Sequence, residues 1–189
     1  MLSFVIQSIF LGIGLAMDAS CVAMTNGLNY PKLKIRQALL IAFMFGFFQA
    51  LMPLIGYLLG VNFSEFLSKF TPLIAVVLLS IIGGKMIYET VKNKNEEVNE
   101  IKEFGMSLLF VQAIATAIDA LSVGVIMIDY TLIELIIALS LIAFTTFILS
   151  FIAVFIGKKF GVLLNNKASI LGGIILIIIG VEIFISGMF

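Results

Sequence analysis

Two aspartates sit deep inside apolar sequence, and their type and placement point to cation chemistry. Asp18 lies in LGIGLAMDASCVAM (11–24) and Asp119 in QAIATAIDALSVGV (112–125). A carboxylate buried at bilayer depth costs on the order of 3 kcal/mol and is seldom left facing lipid. Helical spacing puts Gly14, Asp18, Cys21 and Thr25 on one stripe, and Ala115, Asp119, Ser122 and Ile126 on another, with Thr116 beside it. Small residues on such a stripe let helices approach closely or leave room for an ion and water. Two carboxylates meeting in a low dielectric resist joint ionisation, so an empty pair holds a proton. A divalent cation neutralises both. Carboxylate, amide and hydroxyl oxygens suit hard ions such as Mg²⁺ or Mn²⁺, not Cu⁺ or a zinc–thiolate site. The plainer reading is that each aspartate hydrogen-bonds a neighbouring helix, and their matched occurrence in both halves weighs against it. Asp18 and Asp119 are therefore the leading metal ligands, with Gln49, Thr116, Ser122 and Cys21 as further candidates.

The elements that must carry these residues are membrane helices. Of 189 residues, 62% are hydrophobic and 12% charged, and the mean hydropathy is +1.24, too apolar for a water-facing surface. Six apolar stretches of bilayer length stand out: 3–25, 38–60, 70–89, 105–128, 132–157 and 168–187. The N-terminus has no basic region ahead of its apolar run, so it reads as the first span, not a signal peptide. The expected fold is all-α, six transmembrane helices, divided into residues 1–90, a charged cytoplasmic linker at 91–104, and residues 105–189.

Lys32, Lys34, Arg36, Lys92, Lys94, Lys102, Lys158, Lys159 and Lys167 fall in the first, third and fifth links, against Lys69 alone on the other side. The positive-inside rule then places both termini outside the cytoplasm. The two aspartate segments align without gaps at five identities in 14 positions, among them Asp18 with Asp119. Gly60 with Gly157 and Gly83 with Gly180 are each 97 residues apart. Three spans per unit is an odd number, so the second unit enters from the opposite side: an inverted repeat, with its site near the midplane.

Gln49, in the middle of the second span, is an oxygen ligand or a helix–helix hydrogen bonder. Pro53, four residues on, is expected to kink that span. Gly56 and Gly60 form a GxxxG packing pattern. Lys85 and Glu182 occupy equivalent repeat positions; they snorkel to the headgroups or serve as gate charges on a proton path, and Thr146 matches Gln49 and lines the same path. With no histidine, one cysteine and no Walker motif, the usual hydrolytic and ATPase machinery is missing, and the chain is not expected to be an enzyme. Net charge is zero and no nucleic-acid partner is expected.

The segments MDA (17–19), FGFFQALMPLIG (45–56), IGGKMIYE (82–89), ATAIDALSVG (115–124) and ILGGIILIIIGVEI (170–183) resemble the MntP-type manganese efflux pumps of bacteria, over nearly the whole chain. The resemblance implies an inner-membrane protein that exports Mn²⁺, with Asp18 and Asp119 as the functional acids and Gln49 beside them. It needs no cofactor; Mn²⁺ is cargo. Family members carry Gln or Glu at the place of Gln49, and commonly Phe where this chain has Ser20. Manganese follows from the resemblance; the residues themselves indicate a hard-cation site, with protons competing for the two acids. Export of another divalent metal or small solute, and a membrane enzyme or assembly factor without transport, are the other readings.

Overall fold

The computed structural model describes residues 2–92, 105–164 and 168–188. Among these residues every regular element is a helix: α1 (Leu2–Asn29), α2 (Ile35–Lys92), α3 (Met106–Ala117), α4 (Ala120–Ile126), α5 (Leu132–Leu164) and α6 (Ala168–Met188). Three stretches are long and apolar enough to cross a membrane, Phe4–Asn29, Ile35–Gly60 and Leu132–Leu163, and two shorter apolar helices are Met106–Ala117 and Ile170–Glu182. Most of the expected charged linker, including Lys94, Glu96, Glu97, Glu100, Lys102 and Glu103, lies outside the described residues, as does Lys167.

The surface is apolar and much of the interior is polar. Phe10, Phe43, Phe47, Ile136 and Phe144 are exposed, while Thr25, Asn26, Gln49, Gln112, Thr116, Thr146 and Ser150 are buried. Water would penalise that arrangement and hydrocarbon favours it. This is a membrane protein.

α1 packs most extensively on α5, while α2 is the hub that touches α3, α4, α5 and α6. One apolar cluster gathers Ala19, Val22, Ala23 and Leu33 with residues of α2, α3, α5 and α6. A second one joins Leu15, Ala120, Met127, Leu135, Ala138 and Ile142, and lies toward the N-terminal end of α5, away from Lys158 and Lys159. At the basic end the Lys158 ammonium donates to the Leu33 carbonyl and lies over the Phe155 ring, tying α5 to the α1–α2 link.

Two local features go beyond the hydropathy pattern. α2 keeps helical dihedrals through Pro53 and leaves them only at Gly60, where φ is 74° and ψ −179°. Gly60 is thus the residue that interrupts α2, and the GxxxG pattern divides: Gly56 packs against Leu121 and Gly124 of α4, and no side-chain or backbone neighbour crowds Gly60. Only glycine adopts that backbone readily, so Gly60→Ala is expected to destabilise the protein by about 1–3 kcal/mol. A thermal midpoint in detergent equal to wild type would contradict this. The fourth span, expected as one helix, consists of α3 and α4 meeting at Ile118 and Asp119. There the Leu121 and Ser122 amides donate to the Ile118 and Asp119 carbonyls at 3.3 and 3.0 Å, an i→i+3 tightening that interrupts the α pattern.

Candidate functional site

The break between α3 and α4 puts Asp119 at a helix interruption, where backbone groups leave the regular ladder and a side chain can be aimed inward. The Asp119 Oδ1 is buried and has no hydrogen-bond partner. Asp18, on the continuous helix α1, is half-buried. Gln49 is 0% exposed. Its Nε2 donates to the Leu15 carbonyl at 3.0 Å, three residues before Asp18, which leaves Oε1 buried and unpartnered. An amide pinned by its nitrogen presents its oxygen, the atom a hard cation uses.

The other candidates separate by environment. Thr116 is buried, and its hydroxyl donates to Gln112 O at 3.0 Å and Ala113 O at 3.3 Å, occupying its proton and leaving oxygen lone pairs. Cys21 is a half-buried free thiol one turn after Asp18 on α1. Ser122 is exposed. Thr146 is buried with an unpartnered hydroxyl. Glu182 is exposed on α6 beside Ile178, Val181 and Ile185. Lys85 is exposed on α2. Among the described residues no three histidine, cysteine, aspartate or glutamate side chains cluster closely enough to hold a metal by themselves. Any ion here must draw on neutral oxygens.

The structure adds four polar residues that the stripe pattern did not single out. Ser20 and Ser150 carry buried, unpartnered hydroxyl oxygens on α1 and α5. Asn26 and Gln112 are buried and hydrogen-bonded to each other across 86 residues of sequence. Their signal in the sequence is polarity within or beside apolar runs. The partnership between helices is a tertiary fact that local spacing does not encode.

A family model described as "Putative manganese efflux pump" matches residues 32–184. The chain belongs to this family. Among relatives in the MntP family, "Putative manganese efflux pump MntP" of Rippkaea orientalis is 46% identical over 183 residues, covering 97% of each chain. "Putative manganese efflux pump MntP 2" of Clostridium botulinum is 44% identical over 189 residues, 95% of this chain and 94% of its own. The protein of the same MntP name from Campylobacter jejuni is 46% identical over 181 residues, 96% of each. No solved structure matches the chain.

Proposed function

We propose that the chain is a secondary transporter that exports Mn²⁺ from the cytoplasm across the cell membrane, with Asp18 and Asp119 as the ion's charged ligands. What supports this reading is two buried oxygens without a partner, Asp119 Oδ1 at the helix interruption and Gln49 Oε1, whose amide is held by the Leu15 carbonyl three residues before Asp18. A buried polar atom without a partner is costly, and a cation or water taking that place relieves the cost. The names of the relatives supply manganese. In this reading Thr116, three residues before Asp119, and Cys21, three after Asp18, are further ligand candidates; Thr146 lines the approach, and Lys85 and Glu182 act as gate or proton-path charges. Mn²⁺ and protons compete for the two acids, so ion exit is coupled to proton entry. No catalytic turnover is assigned to the chain.

The same proposal takes the helices as six spans in two inverted three-helix repeats, both termini outside. Two contacts support it. A Cβ added at Gly46 of α2 would lie 2.7 Å from the Ala143 carbonyl of α5. These residues are 97 apart in the chain, as a pair astride a two-fold axis must be in the register of the glycine landmarks. Gly83 of α2 packs on Gly173 of α6; replacing each by its mate at the same offset gives Gly180 and Val76, and an added Gly180 Cβ would lie 3.2 Å from the Val76 Cα.

The test is purified protein in liposomes loaded with an Mn²⁺-sensitive dye. Mn²⁺ flux is expected to exceed Mg²⁺ flux and to change severalfold when a pH gradient is imposed. Liposomes that pass no Mn²⁺ would reject transport; flux indifferent to the gradient would reject proton coupling alone.

A further inference from the structure

At the basic end of the bundle, two buried amides stand between the aspartates and the link that carries Lys32 and Lys34. Asn26 and Gln112 are 2% and 1% exposed, and Asn26 Nδ2 donates to Gln112 Oε1 at 2.8 Å. The other end of the same amide, Gln112 Nε2, is buried without a partner. Asn26 follows Asp18 by eight residues in α1, and Gln112 precedes Asp119 by seven in α3. Helical rise therefore sets the pair about 11 Å from the acids along the bundle. Both helices contribute one member, and α1 packs far less on α3 than on α5, so this bond bridges a lightly packed seam. Two apolar side chains would close that seam without leaving an orphan donor.

The opposite end is built differently. At the offset of 101 that relates Asp18 to Asp119, Asn26 matches Met127 and Gln112 matches Leu11. Both of these belong to the second apolar cluster. A polar pair thus guards one end of the interior and hydrocarbon the other.

We propose that Asn26 and Gln112 form a second cation station, on the cytoplasmic side of the aspartates, where amide oxygens replace part of the hydration shell of a divalent ion on its way in. The station rests on the transport reading above. Turning the Gln112 side chain toward an arriving ion breaks one hydrogen bond only, because Nε2 has none to lose, and the movement frees Oε1 as a ligand. The Asn26 amide, released in the same step, offers its own oxygen. Amide oxygens are hard ligands suited to Mn²⁺ or Mg²⁺. Carrying no net charge, they hold the ion loosely enough to pass it to Asp18 and Asp119, as conduction through successive sites requires. The Thr116 hydroxyl, bonded to the Gln112 carbonyl, steadies the backbone beneath the moving side chain.

The experiment measures initial Mn²⁺ uptake in inside-out and right-side-out membrane vesicles, which present the cytoplasmic and outer faces. Gln112→Leu is expected to raise the KM at the cytoplasmic face about tenfold, the loss of one ligand, and to leave the outer-face KM within about twofold. Gln112→Glu, which restores an oxygen and adds charge, is expected to lower the cytoplasmic KM, and it carries the test if the leucine variant does not insert. A cytoplasmic KM unchanged in both variants, or shifted equally at both faces as a mere helix clamp would do, overturns the station. Active wild-type vesicles keep that failure separate from failure of the transport reading; wild-type vesicles without Mn²⁺ flux would overturn both.

Discussion

Cells whose only copy of the protein is Asp119→Asn are expected to accumulate manganese as though the protein were missing. Asparagine preserves the shape of the side chain and its ability to sit at the α3–α4 junction, while the negative charge is lost. In the bundle interior a doubly positive ion would then face one carboxylate in place of two. At an effective dielectric of about 20, a unit charge within 4 Å is worth about 4 kcal/mol before desolvation is counted. A net loss of about 3 kcal/mol lowers transport about 100-fold. Asp18→Asn should behave alike, and the double variant little worse than either single one, because groups that hold one ion act as a unit. The measurement is intracellular metal content, with membrane insertion checked by size-exclusion of a fluorescent fusion. A well-inserted Asp119→Asn protein that exports at more than half the wild-type rate would remove Asp119 from the site.

The second large effect is on stability, and it turns on a single methyl group. Gly124 of α4 lies directly on the backbone of α2: a Cβ placed there would overlap the Pro53 carbonyl oxygen, with the Tyr57 nitrogen 2.7 Å away. Both obstacles are main chain in a packed helix, so neither can swing aside as a flexible side chain would. Gly124→Ala is expected to cost about 3 kcal/mol, the upper end of the usual penalty for overpacking. Because α4 begins at the residue after Asp119, the displacement also moves the acid. Gly14→Ala is the matched control. That position has nothing within 4 Å of an added Cβ, and alanine there gains about 1 kcal/mol of helix propensity. Thermal midpoints in detergent should fall for Gly124→Ala and hold or rise for Gly14→Ala. Equal midpoints for the two variants would show that the α2–α4 crossing does not limit stability.

The acids were conspicuous because charge inside an apolar run is expensive, Gln49 stood out as an amide in such a run, and Thr146 entered only through its repeat register with Gln49. Helix content followed from hydropathy, though α1 runs on to Asn29, past the apolar limit at Thr25. Asn26 lies in that extension, beyond the expected span, and is a buried residue bonded to Gln112. The interruption at Asp119 was hidden because no proline or glycine lies between Gln112 and Val123. It sits where Gly56 of α2 presses on the Leu121 carbonyl, a contact made by a helix 65 residues earlier in the chain. At Pro53 the ring removes a backbone donor while α2 keeps helical dihedrals, beside Gly124 of α4, and they are lost only at Gly60.

The hydrocarbon cluster of Leu15, Ala120, Met127, Leu135, Ala138 and Ile142 begins one residue past Asp119 and three before Asp18. Under the transport reading, an ion leaving the aspartates outward would have to part this layer, so the cluster stands where the outer barrier of an alternating-access carrier is needed.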